Sequence, residues 1–216
     1  MSAMSVGFAR FDLLSWFPRK QTLLTLAFVV VIGILLPVPG MAIIAAAVVT
    51  SLMVSAPFLG DEQGRLDTLY GVLPVSRASI VVGRAASLLT YYLTAAALAT
   101  VTTVVVSATR GDEPAADLLL VAHAAAAAIV GIALGLQMPV FFRIGYSRGR
   151  LMAYAPTVVI AGGAWLLQAI GWHTPVLEAF SGVPVTVLLG AGLAVGLAGV
   201  ILGVVISARL YRTRDL

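Results

Sequence analysis

The stretch FLGDEQGRLDTLYGVLPVSRASIVVGR, residues 58–84, is the longest polar island in an otherwise strongly apolar chain. Its first half has the pattern of a short amphipathic helix. Asp61 and Glu62 stand where the positive end of that helix dipole is expected. Four apolar residues follow at the spacing of one helical face: Leu66, Leu69, Tyr70 and Leu73.

A proline and a capping serine divide this stretch into two predicted helices. Pro74 disfavours helix at the preceding residue and ends the first helix. Ser76 suits the N-cap of the second, with Val75 and Ile80 spaced as a hydrophobic staple. Two interpretations of the first helix stay open: it docks a partner, or its apolar face rests on the chain's own helices or on lipid.

The composition is that of an integral membrane protein. The 216 residues are 61% hydrophobic and 10% charged, with a mean hydropathy of +1.07, whereas soluble domains carry roughly 25% charged residues. We predict a single domain over residues 1–216. The absence of cysteine excludes disulfides and thiolate metal sites. Lys20 is the only lysine and precedes glutamine, so the chain has no Gly-Lys-Ser/Thr phosphate-binding loop.

Charge-free runs predict an all-α, polytopic membrane protein with six transmembrane helices. Residues 21–60 carry no charge, and at about 1.5 Å per residue they cover roughly twice the hydrocarbon thickness, enough for two passes. Four further charge-free runs are each long enough for one pass: 85–109, 118–142, 151–177 and 179–208. Six passes place the N and C termini on the same side.

The basic residues give the orientation. In the six-span topology only Arg110 falls on one side, and the positive-inside rule makes the other side cytoplasmic. Both termini and the 61–84 loop are therefore predicted to be cytoplasmic, and the basic isoelectric point needs no nucleic acid to explain it. The residues on the cytoplasmic side are Arg10, Arg19, Lys20, Arg65, Arg77, Arg84, Arg143, Arg148, Arg150, Arg209, Arg212 and Arg214.

Three shorter segments complete the predicted topology. Residues 1–20 form an interfacial segment on the inner leaflet, anchored by Trp16 and the basic pair Arg19 and Lys20. Residues 172–184 lie outside and hold a short interfacial helix over 175–180. Residues 139–151 form a second cytoplasmic loop whose glycines, Gly145 and Gly149, permit a tight turn. Its candidate functional residues are Arg143, Gly145, Tyr146, Arg148 and Arg150.

Few polar groups lie inside the predicted spans. His123 and His173 are the only histidines, and neither fits a metal or catalytic constellation. His123 and Gln137 are candidates for lining a pathway, and interhelical hydrogen bonding is the alternative. Three Gly-xxx-Gly motifs allow close helix approach, either within the chain or between two copies. They begin at Gly131, Gly192 and Gly199.

Several stretches together resemble the permeases of ABC-2 type transporters. DEQGRLDTLY (61–70), LPVSR (73–77) and IVVGR (80–84) are similar to the first cytoplasmic loop of that family. The small six-span subfamily that includes bacterial peptide exporters is the most similar. RFDLL (10–14) with the basic pair 19–20, and residues 139–150, also resemble that subfamily.

This resemblance implies a transmembrane permease subunit that exports a peptide, lipid-like or drug-like substrate across a bacterial plasma membrane. The chain would be no enzyme and bind no cofactor, since ATP and Mg belong to a separate ATPase present in two copies. A second permease chain, identical or related, would complete the assembly. The loop 61–84 would couple the permease to the ATPase, through Asp61, Glu62, Gly64, Asp67, Leu69, Tyr70, Leu73, Pro74, Ser76, Arg77 and Arg84.

Two other classes of function are the alternatives to a permease. An intramembrane enzyme needs paired carboxylates, or a histidine with a partner, at membrane depth, and the predicted spans contain no acidic residue beyond the boundary residues Asp117 and Glu178. A non-transporting membrane partner, such as an assembly or immunity subunit, is the alternative that the residues exclude least. The predicted spans carry no charge pattern that identifies a substrate. Import is an alternative to export.

Overall fold

Helices are the regular secondary structure of the computed structural model within the residues that it describes, which are 3–17, 19–36, 38–64, 66, 70, 75–113 and 116–213. The helices described there are α1 (Ala3–Trp16), α2 (Lys20–Leu35), α3 (Met41–Met53), α4 (Ala56–Gly64), α5 (Arg77–Arg110), α6 (Ala116–Gly149), a 3-10 turn (Arg150–Ala153), α7 (Ala155–Ala169), α8 (His173–Ser181) and α9 (Val185–Arg212).

Within these described residues, four helical stretches are long and apolar enough to cross a membrane. They are Met41–Gly64, Arg77–Arg110, Ala116–Ala169 and Val185–Arg212. A fifth results if the pair Met4–Trp16 and Lys20–Leu35, bent by 83°, counts as one broken span. The fold is therefore that of a multi-pass, all-helical membrane protein.

Local sequence signals fix several helix ends as predicted. The side chain of Ser76 caps α5 by accepting a hydrogen bond from Ser79 N at 3.1 Å. Gly40 takes a left-handed φ of 87° in the turn before α3, and the short outer helix predicted over 175–180 exists as α8. Gly145, with φ 77°, interrupts α6 inside the second predicted cytoplasmic loop.

The glycine motifs bring α6 and α9 into close contact within the chain. A Cβ atom added at Gly196 would lie 2.6 Å from the carbonyl oxygen of Ala127, and one at Gly203 would lie 2.8 Å from that of Leu134. These distances leave no room for a side chain, so the two backbones approach as small-residue motifs permit. The intramolecular alternative is therefore correct for this helix pair.

The N-terminal segment differs from its prediction in one respect. Helix α1 packs against α5 and buries Phe8 and Trp16. Trp16, only 1% exposed, contacts the ring of Tyr91. The prediction that Trp16 anchors the chain in the interface is wrong, because the indole fills a protein core position. The opposite face of α1 exposes Phe11 and Leu14.

The prediction that Asp61 and Glu62 stand at the positive end of a helix is wrong, and most of the amphipathic helix predicted after them lies outside the described residues. Helix α4 begins at Ala56, with Pro57 in its first turn where no amide donor is needed. Asp61 and Glu62 consequently lie near its C-terminal end, where the helix dipole does not favour a carboxylate. Their charges are stabilised instead by groups from other helices.

Candidate functional site

A buried ionic cluster joins three helices at the end of the molecule where α5 begins. The Arg84 guanidinium contacts two carboxylates, with Nη2 2.7 Å from Asp12 Oδ1 and Nη1 2.7 Å from Asp61 Oδ2. Arg84 and Asp12 are each 1% exposed and Asp61 10% by side chain. The cluster therefore ties α5 to both α1 and α4.

The remaining carboxylate oxygens in this cluster are satisfied by hydroxyl groups. Tyr70 Oη donates to Asp61 Oδ1 at 2.9 Å, and Ser87 Oγ donates to Asp12 Oδ2. Each carboxylate thus uses one oxygen for Arg84 and one for a neutral donor. Burial and the Asp61 carboxylate raise the pKa of the Tyr70 phenol, so the hydroxyl keeps the proton that it donates.

Aromatic rings enclose the arginine. The guanidinium carbon lies 4.7 Å from the Phe58 ring centroid and 6.0 Å from that of Phe8, distances at which a cation interacts with a ring face. Phe58 in turn packs against Phe141 and Phe142 of α6. A buried cation held by two carboxylates and two rings leaves little freedom for the helices around it.

Two further polar links connect the same end of the molecule. Glu62 accepts hydrogen bonds from the backbone N–H of Ser147, at 3.0 and 3.2 Å, and from its hydroxyl. Arg77 Nη1 donates to the carbonyls of Tyr211 and Arg212, both at 2.9 Å, near the C-terminal end of α9. The first link joins α4 to the second predicted loop, and the other joins α5 to α9.

The structure brings together part of the predicted coupling set. Asp61, Tyr70 and Arg84 share the ionic cluster, while Glu62 and Arg77 make the two other links. Ser76 caps α5, and Gly64 closes α4. Outside the described residues lie Asp67, Leu69, Leu73 and Pro74.

The described part of the predicted amphipathic face points inward. Tyr70 is 5% exposed, and Leu66 is half-buried against the core. In the second loop the three arginines are exposed, while Tyr146 is half-buried beside Phe141. Those arginines are Arg143, Arg148 and Arg150.

The two candidate pathway residues both make hydrogen bonds to other segments. His123 Nε2 lies 2.9 Å from Thr100 Oγ1 on α5. Gln137 is fully buried and donates to the Ala153 carbonyl at 3.3 Å, while its own carbonyl oxygen has no hydrogen-bond partner among the described residues. Their role in a pathway stays a prediction. Over the described ranges, no group of three or more acidic or histidine side chains could hold a metal ion.

Asp12 is the member of the cluster that sequence reasoning missed. It lies in the stretch RFDLL, which resembles the N-terminal segment of a family. The available signal was a single carboxylate in an otherwise apolar and basic segment. Such a charge is rarely buried without a partner, and Arg84, in a position flanked by apolar residues, was a candidate.

The fold and this polar end define a multi-pass, all-helical membrane protein in which buried ion pairs join α1 and α4 to α5. A family model described as "ABC-2 family transporter protein" matches residues 12–212. Because this match covers nearly the whole chain, the protein belongs to the ABC-2 transporter family. Neither a curated protein nor a solved structure matches the chain.

Membership makes the chain a membrane-embedded permease subunit of an ABC transporter. It also implies association with an ABC ATPase, since permease subunits of this family are generally not themselves catalytic.

Proposed function

We propose that the chain is the permease of an ATP-driven exporter and that its 61–84 loop receives the ATPase. The observation that carries this proposal is the cluster of Arg84 with Asp12 and Asp61. Asp61 and Arg84 are the first and last residues of this loop, so the cluster ties both of its ends to each other and, through Asp12, to α1. A solvated loop without a mechanical role needs no such buried connection, which requires desolvating three charges.

The proposed coupling works through these contacts. ATP-driven closure of the ATPase displaces the segment around residues 61–73. The displacement reaches α5 through Asp61 and Arg84, and reaches α1 through Asp12. Glu62 passes it to the second loop at Ser147. Rigid helices joined by such short contacts move together, which alternately exposes a path for substrate.

The proposed topology has six spans with both termini in the cytoplasm. The stretch Ala116–Ala169 contains 54 residues, which at about 1.5 Å per residue is more than twice the hydrocarbon thickness. It is interrupted at Gly145 within α6, and the 3-10 turn Arg150–Ala153 separates α6 from α7. Two passes from this stretch, with α2, α3, α5 and α9, give six. The positive-inside pattern of the arginines supports the orientation.

The complete transporter that we propose contains two permease chains, identical or related, and two ATPase subunits that bind ATP and Mg. It works in the plasma membrane of a bacterium. The substrate class that we propose is a peptide, lipid-like or drug-like molecule moved outward, which is consistent with spans that carry no charged recognition group.

The test is a mild-detergent pull-down from native membranes, followed by transport in proteoliposomes. Wild-type chain is compared with Leu69→Asp and with Thr213→Asp, a control that adds the same charge at an exposed position beyond α9. We expect an ATPase subunit with the wild type and the control, its loss from Leu69→Asp, and ATP-dependent export by the wild-type complex.

The other outcomes are equally informative. An ATPase that stays with Leu69→Asp would move the contact away from this loop. A wild-type complex that hydrolyses ATP without moving any candidate substrate would favour the non-transporting partner instead. Absence of an ATPase in every mild detergent would overturn the docking proposal.

A further inference from the structure

A crevice of about 400 Å³ lies between the α1–α2 elbow and the junction of α3 with α4. One wall is formed by Trp16, Arg19 and Lys20. The other is formed by Met53 and Leu59, with Gln63 toward the polar end of α4. Part of the crevice is thus basic and part apolar. The three charged residues of the ionic cluster do not line it.

The basic wall carries two cations without a carboxylate partner in the described part of the chain. Neither Arg19 nor Lys20 forms an ion pair there, and the nearby acids Asp12 and Asp61 are engaged by Arg84. Arg19 Nε donates to the Ser15 carbonyl at 3.0 Å, an anchor that leaves both terminal nitrogens available.

The guanidinium of Arg19 lies beside Gly60 of α4. A Cβ atom added at Gly60 would lie 3.8 and 3.9 Å from Arg19 Nη1 and Nη2, so the guanidinium extends over the α4 backbone. A larger residue at this position would compete for that space. The arginine therefore reaches from the α1–α2 elbow to α4.

The tryptophan adds an unpaired donor. Trp16 Nε1 is buried and has no hydrogen-bond partner among the described residues, although an indole N–H normally finds one when buried. Gln21 and Gln63, whose amides can also donate, line the same crevice. A site lined by two cations without carboxylate partners among the described residues, and by amide donors, favours an anion.

The apolar wall indicates which anion. Met53, Ala56 and Leu59 would gain nothing from a free inorganic ion. Beside the crevice, the first turns of α2 expose Leu23 by 51% and Leu24 by 71%, as surfaces that face acyl chains do. A ligand with an anionic head and an apolar body fits both surfaces at once.

We propose that this crevice binds the headgroup of an anionic phospholipid, with its phosphodiester held by Arg19 and Lys20 and its glycerol end against Met53 and Leu59. This proposal rests on the proposed function in one respect, which is that the proposed topology places the crevice at the inner leaflet. Because it touches both the elbow and α4, a bound lipid would hold the N-terminal helix against the segment that leads into the coupling loop.

The experiment is native mass spectrometry of the purified full chain, titrated with phosphatidylglycerol and, separately, with phosphatidylcholine. Wild-type protein should prefer phosphatidylglycerol. R19Q/K20Q should lower the phosphatidylglycerol affinity by about 30-fold and leave phosphatidylcholine binding unchanged. R10Q/R209Q removes two exposed arginines from outside the crevice and should retain the wild-type affinity.

Three results would overturn the proposal. R19Q/K20Q that binds phosphatidylglycerol as tightly as wild type would place the lipid elsewhere. Equal losses in both double variants would mean attraction to diffuse surface charge. Displacement of phosphatidylglycerol by millimolar inorganic phosphate would mean a free-anion site. Since the assay contains no ATPase and no transport step, failure of the exporter proposal would leave its result interpretable.

Discussion

Asp12 Oδ1 and Arg84 Nη2 lie 2.7 Å apart with both side chains almost completely buried. This contact joins the N-terminal helix to the beginning of a long apolar helix. It also leaves the cluster with an excess negative charge, because Asp61 shares the same guanidinium. The arginine is therefore the group whose loss the structure tolerates least.

We predict that Arg84→Gln destabilises the protein by about 3–5 kcal/mol, because it leaves two buried carboxylates without their cation. The measurement is thermal unfolding of the purified protein in detergent, read as the apparent melting temperature. Arg209→Gln, which removes an exposed arginine from α9, is the control and should change it little. Equal melting temperatures for the two variants would mean that the cluster does not stabilise the fold.

The Tyr70 hydroxyl gives a prediction for alkaline pH. Its donation to Asp61 at 2.9 Å is a hydrogen bond to a charged acceptor, so Tyr70→Phe should cost about 1.5–3 kcal/mol at neutral pH. Since burial raises the phenol pKa in the folded protein, this stabilisation is present below the unfolded value of about 10 and is lost as pH rises above it.

The pH dependence of stability tests the contribution of the Tyr70 phenol. Between about pH 9 and 11, stability of the wild type should fall more steeply than that of Tyr70→Phe. Tyr154→Phe, at a residue 57% exposed, is the control for the loss of a phenol. Parallel curves for wild type and Tyr70→Phe would show that the phenol titrates alike in the folded and unfolded chains.

The link from Glu62 to Ser147 gives a local prediction. Glu62→Ala removes the acceptor for the Ser147 N–H and hydroxyl, so amide exchange in the loop around residues 145–150 should accelerate. Ser147→Ala should accelerate it less, because the backbone hydrogen bond remains. Glu113→Ala, beyond α5, is a control for loss of charge. Hydrogen–deuterium exchange of the full chain measures these rates. An unchanged exchange rate in residues 145–150 of Glu62→Ala would contradict the link between Glu62 and Ser147.

The glycine contact between α6 and α9 predicts a strong position-dependent effect. Gly196→Ala places a Cβ 2.6 Å from the Ala127 carbonyl, so the helices must separate and we expect a loss of at least about 2 kcal/mol. Gly190→Ala, where a Cβ meets nothing within 4 Å, should be neutral or stabilising. The two variants are compared by the yield of monodisperse protein on size-exclusion chromatography. Equal yields would argue against tight packing of this pair.

Signals confined to one segment predicted much of this fold. Charge-free runs located the long helices, Ser76 marked the start of α5, and Gly145 marked the break in α6. Each of these features depends on residues close together in the chain. The family followed from the 61–84 stretch, and the match over residues 12–212 confirms it.

Contacts between distant segments were not predictable in the same way. The isolated charges of Asp12 and Arg84 could be noticed in the sequence, but no local pattern shows that the two meet. Nor does one show that Trp16 is a core residue rather than an interfacial anchor. Helix α4 begins at Ala56 because the apolar run before Asp61 continues the preceding helix pattern into the polar island. The charges there suggested a helix start, but they are balanced by tertiary partners instead.

A triple substitution in the ionic cluster separates its contribution to stability from its proposed role in coupling the ATPase to transport. Replacing the whole cluster by apolar residues, as Asp12→Leu, Asp61→Leu and Arg84→Met together, removes its three buried charges and should restore a melting temperature near that of the wild type. Under the proposed mechanism the same variant should bind the ATPase yet lose most ATP-dependent export, because the short polar contacts between α1, α4 and α5 are gone. Proteoliposome transport and ATPase assays on one complex measure both quantities. A stable triple variant that exports normally would reduce the cluster to a structural support and remove it from the coupling route.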